Sequence, residues 1–133
     1  MEKKYKYRVC TRELSRQECK NCLDEIIDIL NVHQVLQIEM MFGLAWDNEH
    51  KEWIPFIVPP DEITLEIEKA EQTGTGNFYN ADTFLTLHEL NSEILFCHEF
   101  DIHLEFDEIN KVVNDIIEAW RSRDIIQGKI ETR

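Results

Sequence analysis

The sequence is short of turn-forming residues and, over most of its length, of positive charge. Its 133 residues include four glycines and three prolines, which excludes a low-complexity linker or a collagen-like repeat. No apolar run approaches the roughly 18 to 20 residues needed to span a bilayer. The basic segment "MEKKYKYRVC" is not followed by the apolar stretch of a secretory signal. The expectation is a cytoplasmic protein with no membrane association, whose four cysteines are free thiols. No HExxH, no nucleophile elbow and no dinucleotide fingerprint occurs. "TGTGN", residues 73–77, lacks the lysine and the following helix of a phosphate loop and reads as a turn. The sequence therefore assigns no catalytic residue, no cofactor and no metal.

The deficit of positive charge is local. Residues 1–20 carry seven Lys/Arg against three Asp/Glu, residues 21–110 two against twenty, and residues 111–133 five against four. The middle of the chain repels phosphate backbones, which disfavours direct nucleic-acid binding. It attracts basic partners and speeds encounter with them. An acidic surface that serves only solubility accounts for the same charge.

What is present folds: 43% of the residues are hydrophobic, and the length suits one domain spanning residues 1–133. Tyr5, Tyr7 and Val9 alternate with Lys6 and Arg8 as a first strand. Ser15 and Glu18 form a capping-box pair. It precedes a helical stripe of Cys19, Cys22, Leu23, Ile26, Ile27 and Leu30, which predicts a helix over 16–31. From Leu36 to Trp46 the period is two. "WIPFIV" (53–58) reads as an edge strand because Pro55 lacks a donor. "ITLEIE" (63–68) reads as a strand, although the segment also fits the start of a helix. "FLTLHEL" (84–90) reads as another strand. A last helix is expected from Asp107 to Asp124, with Ile109, Val112, Val113, Ile116, Ile117 and Trp120 on one stripe, and residues 125–133 as a loose tail. The predicted class is α+β: a curved antiparallel sheet of six to seven strands, with both helices on one face. The element order resembles that of helix-grip domains, in which a curved sheet closes around a long C-terminal helix.

Chemistry-bearing residues concentrate in "FCHEFDIHLEF" (96–106). Alternation runs for thirteen residues from Ile94 to Phe106, roughly 43 Å if straight. That is too long for a common strand, so a bend or bulge is expected near Glu99 to Asp101. The period places Phe96, His98 and Phe100 on the inner face. Cys97, Glu99, Asp101, His103 and Glu105 fall on the outer face, so the two histidines converge on one metal only if the strand breaks between them. Glu99, Asp101 and His103 have the spacing to share a divalent cation only if another strand adds ligands. The preceding strand leaves two registers open. In one, His88 pairs with Phe96 and joins His98 on the inner face. In the other, Leu87 pairs with Phe96 and Leu85 with His98, so that Leu85 and Leu87 face inward and His88 outward. "CKNC" (19–22) has metal-knuckle or redox spacing, with Cys10 and Cys97 as further thiols. Both of its cysteines lie on the apolar stripe, where free cysteine acts as a small core residue.

Two functional expectations follow. The first is a non-enzymatic, acidic protein-interaction domain that captures a basic protein partner through Glu99, Asp101, His103 and Glu105, with Trp46 and Trp53 as aromatic anchors. In size and charge the chain resembles small acidic inhibitors, such as immunity proteins paired with basic toxins. The alternative is a small-ligand-binding or enzymatic domain with a pocket between the sheet and the C-terminal helix, lined by His88, His98, Phe96 and Phe100.

Overall fold

The computed structural model describes residues 5–43 and 54–132. Seven strands form one open, wholly antiparallel sheet: β1 (Tyr7–Thr11), β2 (Ile38–Gly43), β3 (Phe56–Val58), β4 (Asp82–Leu87), β5 (Ser92–Phe96), β6 (Ile102–Phe106) and β7 (Ile126–Thr132). Their spatial order is β3-β2-β4-β5-β6-β1-β7. The described residues also form three α-helices: α1 (Arg16–Val32), α2 (Ile63–Thr73) and α3 (Lys111–Ser122). No helix among the described residues is long and apolar enough to cross a membrane.

Helix α1 starts as its capping box requires. The Ser15 hydroxyl accepts the Glu18 amide at 3.1 Å, and the Glu18 carboxylate accepts the Ser15 amide at 2.9 Å. Cys19, Cys22, Leu23, Ile26 and Leu30 are buried. Helix α3 begins four residues later than expected. The Asn110 side chain caps it by accepting the Val113 amide at 2.9 Å, and Ile109 is left exposed. Its stripe Val112, Val113, Ile116, Ile117 and Trp120 is buried. Each such aliphatic side chain, fully buried, contributes about 1.5–3 kcal/mol. His33 on the C-cap of α1 meets Asp115 of α3 at 2.6 Å, and Arg123 meets Glu25 at 2.9 Å.

The segment 63–68 is helical, which corrects its reading as a strand. Ile63, Ile67 and Ala70 are buried at helical spacing, while Leu65, which period two would turn inward with Ile63 and Ile67, is exposed. Pro60 occupies the first turn of a 3-10 segment (Pro60–Glu62) that leads into α2, where its missing N–H has no bond to lose. Gly74 ends α2 in the left-handed conformation, φ 75°, with its amide bonded to the Ala70 carbonyl. The sheet therefore carries three helices instead of two.

Two further corrections concern the strands. The tail is ordered: Ile126–Thr132 pairs with β1 as an edge strand, so α3 is not the last element. This departs from the expected helix-grip order, as does the additional helix α2. The long alternation 94–106 is a hairpin of β5 and β6 closed over residues 97–101. Phe100, φ 71°, takes the left-handed position. The Cys97 amide bonds the Asp101 carbonyl at 2.9 Å, and the Phe100 amide bonds the Cys97 carbonyl at 3.1 Å. Between β4 and β5, Leu85 lies opposite Ile94 and Leu87 opposite Ser92. Neither expected register is present, because a 3-10 turn (His88–Leu90) with Asn91 lengthens the connection. The parity is that of the second alternative: Leu85 and Leu87 are buried and His88 is exposed.

The inner face carries Ile38 and Met40 of β2, Leu85 and Leu87 of β4, Ile94 and Phe96 of β5, Ile102, Leu104 and Phe106 of β6, and Val9 of β1. All are buried in one core with the helix stripes. Pro55 precedes β3 at one sheet edge, as its missing donor requires. Leu36 is exposed and precedes β2. Trp46 and Trp53, with the end of the expected 36–46 strand, lie outside the described residues.

Candidate functional site

Strand registers define what meets on the outer face of the sheet. One cross-strand row runs Glu39, Thr86, Glu93, Glu105, Arg8, Glu131. At about 4.8 Å per strand it spans roughly 24 Å. Four of its six side chains are carboxylates, and Glu93 and Glu105 stand directly opposite each other. The row has internal partners. Thr86 donates to Glu93 at 2.9 Å, Arg8 binds Glu131 at 2.8 Å, and the His88 ring lies 3.2 Å from Glu39. Tyr5, 4% exposed, lies within the field of this row. Burial first, then Glu93, Glu105, Asp107 and Glu39, push its phenol up to about 12.

A second cluster sits at the hairpin end of β4, β5 and β6. Asp82 is buried at the start of β4. Its Oδ1 accepts the His98 amide at 2.8 Å and the His98 Nδ1–H at 2.9 Å. Cys97 Sγ lies 3.8 Å from the same Nδ1. On the other side of the turn, the His103 Nε2–H donates to Asp101 Oδ2 at 3.0 Å. Asp101 Oδ1 is fully buried and has no hydrogen-bond partner, although buried carboxylate oxygens are ordinarily satisfied. The Asp82, Cys97 and His98 ligand atoms lie within 4.8 Å of one another, and so do those of Cys97, Asp101 and His103. Burial, reinforced by Asp101 and Asp82, pushes the Cys97 thiol up to about 11.

Against the sequence expectation, His98 is not an inner-face strand residue. It sits half-buried in the turn, where Asp82 anchors it. Phe100 also leaves the inner face and stacks on Tyr79, ring centroids 4.6 Å apart. Phe96 is core, and His88 is exposed at the opposite end of the β4–β5 pair. These four residues do not converge. The cleft between β7 and α3, about 530 Å³, is lined instead by Val9, Ile117, Arg121, Ile126 and Ile130 among others.

The outer row expected from residues 99–105 also divides. Glu105 joins the acidic row, Asp101 and His103 join the hairpin cluster, and Glu99 is exposed on the turn, 3.8 Å from His98 Nε2. Glu39, Glu93, Glu131 and Asp82 escape sequence reasoning because only strand register brings them in. Cys19 and Cys22 are core residues of α1, and burial pushes their thiols up to about 12 and about 11.

Comparison of the chain with protein-family models, with curated proteins and with solved structures finds no match.

Proposed function

We propose that the chain is a non-enzymatic interaction domain whose outer sheet face binds a basic protein partner. The observation that carries this reading is the row Glu39, Glu93, Glu105 and Glu131, in which Arg8 is the one cation. It concentrates negative potential over roughly 24 Å of a rigid sheet. A partner with lysines or arginines at matching spacing is attracted and oriented by this potential. The net charge of −13 supports the same direction of steering. Partners differ from solubility in one respect: they need the row itself, not the total charge.

The test is affinity purification from the native host with the wild-type chain, beside two variants of equal net charge. In one, Glu39, Glu93, Glu105 and Glu131 are each changed to Gln. In the other, four exposed helix carboxylates, Asp24, Asp28, Glu68 and Glu118, are changed to the corresponding amides. The expected result is a basic partner retained by the wild type and the helix variant and lost by the row variant. Equal retention by all three, or a partner without a basic patch, contradicts the reading.

A further inference from the structure

We propose that Cys97, Asp101 and His103 form a binding site for a divalent cation of the zinc class at the closed end of the β5–β6 hairpin. The three ligand atoms come from the two flanks of one turn and lie within 4.8 Å of one another. Tetrahedral zinc, with bonds of about 2.0 Å to N or O and about 2.3 Å to S, holds its ligands roughly 3.3–3.6 Å apart. His103 Nε2 and Asp101 Oδ2, now 3.0 Å apart, need to open by only a few tenths of an ångström to admit the ion between them. The Cys97–Asp101 backbone bond at 2.9 Å fixes the turn, so the ligand geometry does not depend on ordering a loop.

A second, independent observation points the same way. Asp101 Oδ1 is fully buried and has no hydrogen-bond partner. The His103 contact uses only the other oxygen. An ion bound through both oxygens of this carboxylate gives Oδ1 a partner, whereas the His103 contact through Oδ2 alone does not. The donor set decides the class of metal. Thiolate and imidazole favour zinc, cobalt or nickel over magnesium and calcium, which prefer all-oxygen shells. On the opposite side of Cys97, the buried Asp82 anchors His98 through two bonds to one oxygen. That pair holds the sulfur's other flank in place. The inference is separate from the acidic row: it uses none of Glu39, Glu93 or Glu131.

The test uses the full chain, stripped of metal with a chelator and then titrated with Co²⁺. Bound Co²⁺ reports a thiolate ligand through a near-ultraviolet charge-transfer band and tetrahedral geometry through its visible bands, and Zn²⁺ competition gives the zinc affinity. The expected result is stoichiometric binding with both features. Cys97→Ser should remove the charge-transfer band, and His103→Gln should weaken binding more than about 100-fold, beyond what loss of an outer-shell partner costs. Cys10→Ser, in the strand beside His103, should leave the band intact. Circular dichroism of each metal-free variant confirms the fold, and Cys97→Ala and His103→Ala serve as replacements for any variant that fails it. Absence of the charge-transfer band in the wild type, its persistence in a folded Cys97 variant, binding weakened by less than about 100-fold in a folded His103 variant, or loss of the band in Cys10→Ser overturns the proposal.

Discussion

Cys19 and Cys22 have the spacing of a redox pair, and the structure predicts that they do not act as one. Both are buried on the core stripe of α1, 3% and 1% exposed. Burial pushes Cys19 up to about 12 and Cys22 up to about 11, from an ordinary value of 9.0. The thiolate is the reacting species. At pH 8 an ordinary thiol of that value is about 10% thiolate, whereas Cys19 is about 0.01% and Cys22 about 0.1%. The native chain should therefore react at these positions about 1000-fold and about 100-fold more slowly than the same residues in urea, before steric protection is counted. The assay is labelling with a disulfide reagent over time, native against denatured, with peptide mapping to identify each modified cysteine. Cys10, only partly buried, should label ahead of both. A redox pair behaves in the opposite way: one thiol has a lowered pKa and exposure, and mild oxidant links the two. Labelling of Cys19 or Cys22 in the folded chain within about tenfold of the denatured rate, or a Cys19–Cys22 disulfide under mild oxidation, would refute the argument.

Two other outcomes follow from local geometry. A methyl group at position 76 would lie 2.8 Å from the Phe42 ring and 3.1 Å from the Ala70 side chain. Gly76→Ala should thus cost about 1–3 kcal/mol, a fall in Tm of roughly 3–12 °C for a chain of this size, and an unchanged melting curve would show that the α2–β2 contact is looser than described. The raised pKa of Tyr5 means that the fold favours the neutral phenol. Its contribution is complete below the ordinary value of 10.0 and is lost as pH rises to about 12, because the unfolded chain ionises first. The loss is about 3 kcal/mol, so chemical denaturation at a series of alkaline pH values should show a shallower decline for Tyr5→Phe than for the wild type. Identical slopes would mean that Tyr5 does not occupy that environment.

The elements with local signals were legible before any coordinates. The capping box, the two long apolar stripes and the proline-marked edge strand each depend on residues close in sequence. The segment from Ile63 was ambiguous for a definite reason: Ile63 and Ile67 satisfy period two and helical spacing alike. The deciding marks lay outside it, at Pro60 and Gly74. The β5–β6 turn was hidden because it contains neither glycine nor proline, and Phe100 supplies the left-handed residue. Its length also preserves parity: Phe96 lies opposite Ile102, so even-numbered residues face inward on both strands and the alternation runs through the break. Both candidate sites depend on pairings distant in sequence. Asp82 reaches His98, and Glu39 shares a row with Glu131 through four intervening strands. No local pattern in one sequence encodes such neighbours.

The central claim is that the acidic row, not net charge, recruits the partner. It is tested most directly by the association rate of the purified partner with the wild-type chain and with the row variant, measured across a salt series. As the screening length falls from about 10 Å at 0.1 M to about 3 Å at 1 M, the wild-type rate should drop by about 10- to 1000-fold. The row variant should start slow and respond weakly. Equal rates for the two chains, with the same dependence on salt, would contradict the account.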